Sequence, residues 1–512
     1  MVLNMAGDDA MLHVIRRDLS GGSNTRQHAT QIAENQATVL YNVDIGIPGE
    51  TTKRPGLTLI QSLASYAGTG LFGLEPMGGT NTLIGTWGDQ IRGYTGTGTF
   101  TSLGSVAAPT ADYNFKMLKI GQSGVGDVAL LSNGYDYPLI YNPTGTFTLI
   151  NTSNASVHGV PKTKALEYWR NRVWALSNGL LYYSDAYPAN YNIAFALANS
   201  FRFPVGTEKA VVGLRDAGII ALGTDQIWSI NPSATPVATD KPEKILDIGC
   251  AAGDTVVQVA DDILFLARDG VRGLFRTQQD KLQTGSAYPL SFPLKDEFEN
   301  INWNQINKAC AIFFDNKYFL ALPTGNSTYN DQVWVYYPAT KGWMVITGWN
   351  VGGFATMTVN GEERLYVIDS VNAKVYRAWY GFDDNGTAIN YQEEGRYEDL
   401  GYPLSKKVGG EVRVKFMTAG DYDVTVYAAI DDGGYATLGT VNLSGNAPQL
   451  PITLPFNLAE ATQATEVFHL DGLGAWYRIK LKIQHNAVNS DEIKCLERAI
   501  MSFKEEYQPE KI

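Results

Sequence analysis

Between about residues 80 and 380 the chain repeats one theme: a short apolar strand, a tight turn of Gly, Asn or Asp, and a second strand carrying an aromatic residue. Thr82-Leu-Ile-Gly-Thr-Trp87 turns at Gly88-Asp89 into Gln90-Ile-Arg-Gly-Tyr94, and Val128-Ala-Leu-Leu131 turns at Asn133-Gly134 into Pro138-Leu-Ile-Tyr141. The same pairing recurs around Arg172–Leu176, Ile219–Leu222, Ile263–Leu266, Lys317–Leu322 and Arg364–Ile368. These are seven units at a spacing of roughly 40 to 50 residues, the range of a propeller blade. One such sheet cannot bury both of its faces alone, so the units must stack around an axis. The pattern predicts a β-propeller of about six to eight blades, against the alternative of several β-sandwiches.

The flanks read differently. Residues 12 to 62 form an extended arm of turns and short strands, with helix propensity only around Glu34 to Leu40. After about residue 385, charges alternate with apolar residues, as in Trp476-Tyr-Arg-Ile-Lys-Leu-Lys-Ile483. That is the mark of a sheet with one wet face. The expected division is an N-terminal arm with first strands over 1–62, a propeller over 63–385, an antiparallel β-sandwich over 386–505 and a charged tail over 506–512, free or docked on a neighbour.

Composition agrees with an all-β chain. Among 512 residues there are 52 Gly, 28 Tyr, 20 Phe and 10 Trp, and glycine supplies turns while aromatic and β-branched residues fit a pleated surface. The net charge of -12 speaks against tight phosphate binding, which relies on Lys and Arg. It suits a lumen from which a passing duplex is repelled. The first residues lack the apolar run of a signal peptide, and no stretch is long and apolar enough for a membrane helix, so no membrane anchor is expected.

Enzyme chemistry finds little footing. Cys250, Cys310 and Cys495 lie far apart in apolar surroundings and read as buried reduced thiols, compatible with assembly in a reducing cytoplasm. The five histidines form no metal pair, so neither metal nor cofactor is expected. The turns Asp383-Asp384-Asn385-Gly386 and Asp431-Asp432-Gly433-Gly434 are what hairpins demand, and they lack the downstream Glu of a calcium loop. Glu393-Glu394 and Glu398-Asp399 cluster carboxylates just after the last blade, where a solvated hinge outweighs a hydrolytic acid/base pair.

The arm carries the most specific signal. Leu19-Ser-Gly21-Gly22-Ser-Asn24-Thr25-Arg26, then Asn35-Gln36-Ala37, Asn42-Val43-Asp44 and Lys53-Arg54-Pro55-Gly56, resembles the opening of tail-nozzle, or tail-tubular, virion proteins of short-tailed bacteriophages and of related DNA-stabilising tail hub proteins. Gly401-Tyr-Pro-Leu-Ser-Lys-Lys407 and Leu470-Asp-Gly-Leu-Gly-Ala-Trp-Tyr-Arg478 resemble their sandwich strands. The resemblance implies a non-enzymatic virion protein assembled in the host cytoplasm. It would form a ring with itself, commonly of six copies, beside the portal-adaptor or other tail proteins. That ring would continue the DNA channel, touch the passing viral DNA transiently and hold the genome in until ejection.

On that footing Arg16, Arg17, Asn24, Arg26, Asn35, Lys53 and Arg54 are candidate assembly-arm residues, and Glu393, Glu394, Glu398 and Asp399 candidate lumen acids. Two competing functions remain. One is a tail receptor-binding propeller that stacks host surface glycans on Trp343, Trp349 and Trp379, although these also suit core anchors. The other is a polysaccharide-degrading enzyme using Glu393 or Glu394.

Overall fold

The computed structural model describes residues 11–63, 67–105, 114–122, 126–142, 148–151, 161–186, 193–214, 218–233, 235–237, 240–284, 287–444, 463–488 and 491–504. The charged tail expected over 506–512 lies outside them.

The repeated units are blades. The first is the antiparallel meander Gly68–Leu74, Thr82–Trp87, Gln90–Tyr94 and Thr101–Ser105. Three more four-stranded meanders follow, opening with Lys116–Gln122, Leu166–Trp169 and Glu208–Leu214. The fifth blade has three strands, Val257–Val259, Asp262–Ala267 and Gly270–Gly273. The 18-residue strand Gly342–Val359 closes the sixth blade with its first half and opens the seventh with its second. The seventh is completed by Leu57–Ser62, which pairs antiparallel with Lys374–Ala378. The propeller therefore has seven blades among the described residues and is locked by a strand from the N-terminal side.

The apolar runs show why it closes. In Val128-Ala-Leu-Leu131, Val128 and Leu130 pack toward the third blade while Ala129 and Leu131 pack toward the first. Ile219 and Ala221 face the third blade, and Ile220 and Leu222 face the fifth. Because successive side chains on a strand point to opposite faces, a sheet buried on both sides reads as an unbroken apolar run. Each fully buried aliphatic or aromatic side chain contributes about 1.5–3 kcal/mol. Seven apolar clusters result, one in each gap between neighbouring blades. The last gap, between the seventh blade and the first, holds Val359, Met357 and Tyr366 against Leu83, Trp87 and Tyr94.

Two local expectations are corrected. The second strand expected after Ile263–Leu266 ends at Gly273, because an α-helix, α1, runs over Leu274–Thr284. The Asp262 carboxylate accepts from the backbone N–H of Phe275 at 2.9 Å and of Arg276 at 3.4 Å, satisfying donors that a helix start leaves unpaired. Conversely, no helix forms around Glu34 to Leu40. Its segments are the strands Gln36–Ala37 and Val39–Tyr41, since Thr38 N–H donates to Glu394 O and Leu40 N–H to Ser23 Oγ.

The sandwich is not built from residues 386–505 alone. One sheet pairs Gln463–His469, Lys407–Met417 and Lys494–Lys504, then takes Met11–Arg16 along one part of its last strand and Thr51–Lys53 along another. The other runs Val39–Tyr41, Tyr391–Glu394, Ile479–His485, Asp423–Ile430 and Ala436–Asn442. Alternation in Ile479–His485 is as read: Ile479, Leu481, Ile483 and His485 are buried, and the residues between them are not. A bridge between Tyr41 and Val345 carries hydrogen bonding from the sixth blade into this sheet. The gap between blades six and seven shares one apolar core with the sandwich.

Candidate functional site

The arm's motif residues converge on the junction between propeller and sandwich. Arg54 has no exposed side-chain surface. Its two terminal nitrogens donate to the Asp384 carboxylate at 3.0 and 2.7 Å, its Nε to Asn42 Oδ1 at 2.8 Å and its Nη2 to Thr347 O at 3.2 Å. The guanidinium lies 4.8 Å from the centroid of Trp349, whose indole N–H donates to Asp384 at 3.1 Å. A planar fork satisfied on every side is the arrangement arginine fits and lysine does not.

Asn42 completes the joint from a left-handed backbone position, φ 59°. Its amide donates to Thr347 Oγ1 and to Asn390 O, both at 2.8 Å, and its Oδ1 accepts from Thr347 N–H. Lys53, also buried, donates to Phe382 O at 2.6 Å. Burial first, and the Arg54 charge second, push its ammonium down to about 8.

The glycines of the same motifs mark contact. A Cβ on Gly56 would lie 1.8 Å from Asp383 O. One on Gly22, at φ 78°, would lie 2.2 Å from Trp343 N. Only a residue without a side chain lets the arm pass this close to Asp383 and to the long strand.

The other arm residues also bond within the chain. Arg16 donates to Glu398 at 2.8 and 3.0 Å and to Glu34 at 3.2 Å. Arg17 donates to Glu497 at 3.1 and 2.8 Å, where Arg413 joins it; hydrogen bonds from Arg17 and Arg413 hold that carboxyl below its ordinary range. Asn24 donates to Gln36 Oε1 at 2.9 Å. Arg26 donates to Phe292 O and lies 3.8 Å above the Phe292 ring, and Asn35 O accepts from Gly21 N–H. Lys53 and Arg54 are enclosed by their own chain, so their side chains cannot reach a neighbouring subunit. Arg17, Arg26 and Asn35 remain exposed.

The carboxylates expected to face a lumen are corrected in part. Glu393 is 2% exposed and is held by Arg498 at 2.5 Å, Thr51 Oγ1 at 2.9 Å and the Tyr391 hydroxyl at 2.9 Å. Glu398 is buried against Arg16. Neither can line a channel, because a carboxylate inside the sandwich persists only with partners of this kind. Glu394 accepts from the Tyr435 hydroxyl at 2.7 Å and pairs with Lys480 at 3.4 Å. Asp399 accepts from Gly401 N–H at 2.8 Å. Glu393 and Glu394 are consecutive strand residues, with Glu393 turned into the core. They do not face one another across a cleft.

Trp343 and Trp349 are fully buried, and Trp379 packs edge-on to Phe319 with the Lys317 ammonium over it. All three cysteines are buried, and loss of solvation pushes the Cys250 and Cys495 thiols up to about 12. Among the described residues no group of three or more His, Cys, Asp or Glu could hold a metal, and no helix is long and apolar enough to cross a membrane.

A second cluster was not legible in the sequence. Lys116, Lys164, Glu167, Lys209 and Asp254 meet in one recess, each at or near the start of a blade's innermost strand. They are spread over nearly 140 residues with no motif among them, so only closure of the propeller brings them together.

The fold and these sites define an all-β propeller–sandwich protein welded by its N-terminal arm. No known family matches the chain, and no curated protein does. Solved structures that match include the extracellular domain of a one-component system of B. thetaiotaomicron, with 8% identity, 76% of this chain covered and a TM-score of 0.40. This chain spans 46% of that protein's length. An exo-β-1,3-galactanase from Phanerochaete chrysosporium matches with 9% identity over 88% of this chain and 100% of its own, at a TM-score of 0.27. These likenesses are too distant to speak for activity.

Proposed function

We propose that the chain is a non-enzymatic structural virion protein of a phage tail or neck. In this reading it forms a ring of six copies against the portal-adaptor or other tail proteins, continues the DNA channel, retains the genome and lets it pass on ejection. The observation that carries the proposal is the convergence of the motif residues behind the resemblance. Asn42, Arg54 and Gly56 meet at the joint formed by Thr347, Asp383, Asp384 and Asn390, and Gly22 lies against the same long strand at Trp343. Residues fitted this closely to one joint serve one architecture, and that architecture is a rigid wedge suited to heterologous ring contacts.

Glycan recognition through Trp343 and Trp349 has no support, since rings without exposed surface cannot stack on a sugar. The test is genetic and physical. Phage particles made without this protein should fill their heads and then lose DNA, and antibody against it should label the neck or tail of complete particles. Particles that keep their DNA and fail only in adsorption would overturn the proposal.

A further inference from the structure

Three lysines gather at the start of neighbouring innermost strands in a chain whose net charge is -12. Lys116 begins the innermost strand of the second blade, Lys164 leads into that of the third, and Lys209 is the second residue of the fourth. All three line a recess of about 210 Å³ with Glu167, Asp254, Gln258 and residues 210–213. Lys164 is neutralised by Asp254 at 2.5 Å. Lys116 and Lys209 have no ion-pair partner among the described residues. Lys308 holds the corresponding place ahead of the sixth blade and lines a separate cavity of about 320 Å³.

We propose that this recess is a binding site for a small phosphoryl oxyanion. Two unpaired ammonium groups are held on separate strands by blade packing, so they are brought together before any ligand arrives. An anion in the recess would meet both charges. Lysine serves as a point charge for phosphate. The volume lies below that of sites for drug-sized ligands, which suits phosphate or pyrophosphate and excludes a duplex. The overall acidity of the chain makes the local excess of positive charge a feature of the fold and not of composition. The site does not depend on assembly into a ring.

Glu167 makes the site pH-sensitive. The charged groups around it are Lys116 from the second blade, Lys164 ahead of its own strand, Lys209 from the fourth and Asp254 from the fifth. Loss of solvation, only partly opposed by Lys116, pushes its carboxyl up to about 7. As a carboxylate it repels an anion, and as a neutral acid it does not. Ionisation of Glu167 therefore weakens binding as pH rises through 7.

The experiment is calorimetric titration of the full chain with sodium pyrophosphate and, in parallel, with a 5′-phosphorylated trinucleotide, against sodium chloride at matched ionic strength. Saturable pyrophosphate binding is expected. It should weaken at least tenfold in Lys116→Met and Lys209→Met, persist in Lys209→Arg and be unchanged in Lys119→Met, whose exposed side chain lies outside the recess. Glu167→Gln should tighten binding at pH 8 and flatten its pH dependence, a result that a misfolded variant would not give. Binding of pyrophosphate alone identifies a free anion as the ligand, and binding of both identifies a phosphate that a nucleic-acid end can also supply. No saturable binding of either, or binding indifferent to Lys116 and Lys209, would overturn the proposal.

Discussion

Arg54 is enclosed on all sides, with both terminal nitrogens on Asp384 and its flat face toward Trp349. Removing one member of such a pair leaves a poorly solvated charge behind, at a cost of roughly 3–5 kcal/mol. Arg54→Ala should lower the free energy of urea unfolding by that order. Arg54→Lys should recover little of it, because an ammonium cannot reach Asp384, Asn42 and Thr347 together. Gly22→Ala combines a positive φ with a collision against Trp343, and should cost roughly 2–4 kcal/mol in the same assay.

Glu167 gives a prediction with a sign. Its carboxyl in the folded chain is pushed from 4.5 up to about 7, so the folded state holds the proton more tightly than the unfolded one. Its contribution is most favourable below pH 4.5 and is lost as pH rises through 7. Glu167→Gln cannot ionise. It should be more stable than the wild type at pH 8 and equal to it near pH 4, as read by thermal unfolding across that range.

At the scale of elements, the strand Leu57–Ser62 is the closing piece of the seventh blade, while the residues just before it supply strands to both sandwich sheets. A chain starting at residue 63 loses the outer strand of one blade and exposes the edges of two sheets. It should aggregate or melt well below the full chain, and a peptide of residues 11–63 added in trans should restore part of the lost stability. Unchanged melting of the truncated chain would refute the closure described here.

The blades were legible because each central strand is buried on both faces, so runs such as Val128–Leu131 between turn residues carry their own signature. The weld was not, because its partners are far apart in the chain. Arg54 and Asp384 are 330 residues apart, Arg16 and Glu398 are 382 apart, and Arg17 and Glu497 are 480 apart. Spacing can mark such residues as unusual but cannot pair them. The arm's short strands were likewise hidden, because Gln36–Ala37 and Val39–Tyr41 become strands through hydrogen bonds to distant segments and not through propensity. The carboxylates after the last blade looked solvated in sequence, yet Glu393 is held by Arg498 inside the sandwich. The basic recess is a product of closure alone.

At the scale of the whole molecule, the sandwich and the last two blades share one apolar core, crossed by the arm and bridged by Tyr41 and Val345. Units joined this way unfold together. Calorimetry should therefore show one main transition for propeller and sandwich, and two well-separated transitions would contradict the weld. A rigid body of this kind has its loops on two faces of a propeller and a sandwich fixed to one side, and the role proposed for it rests on shape and on contacts with copies of itself.

The most direct test of that account is electron microscopy of the purified full-length protein at concentrations that favour assembly. The prediction is class averages of a closed ring of six subunits around an opening that admits a duplex. Monomers that stay monomers at every concentration and in the presence of purified tail partners would contradict it.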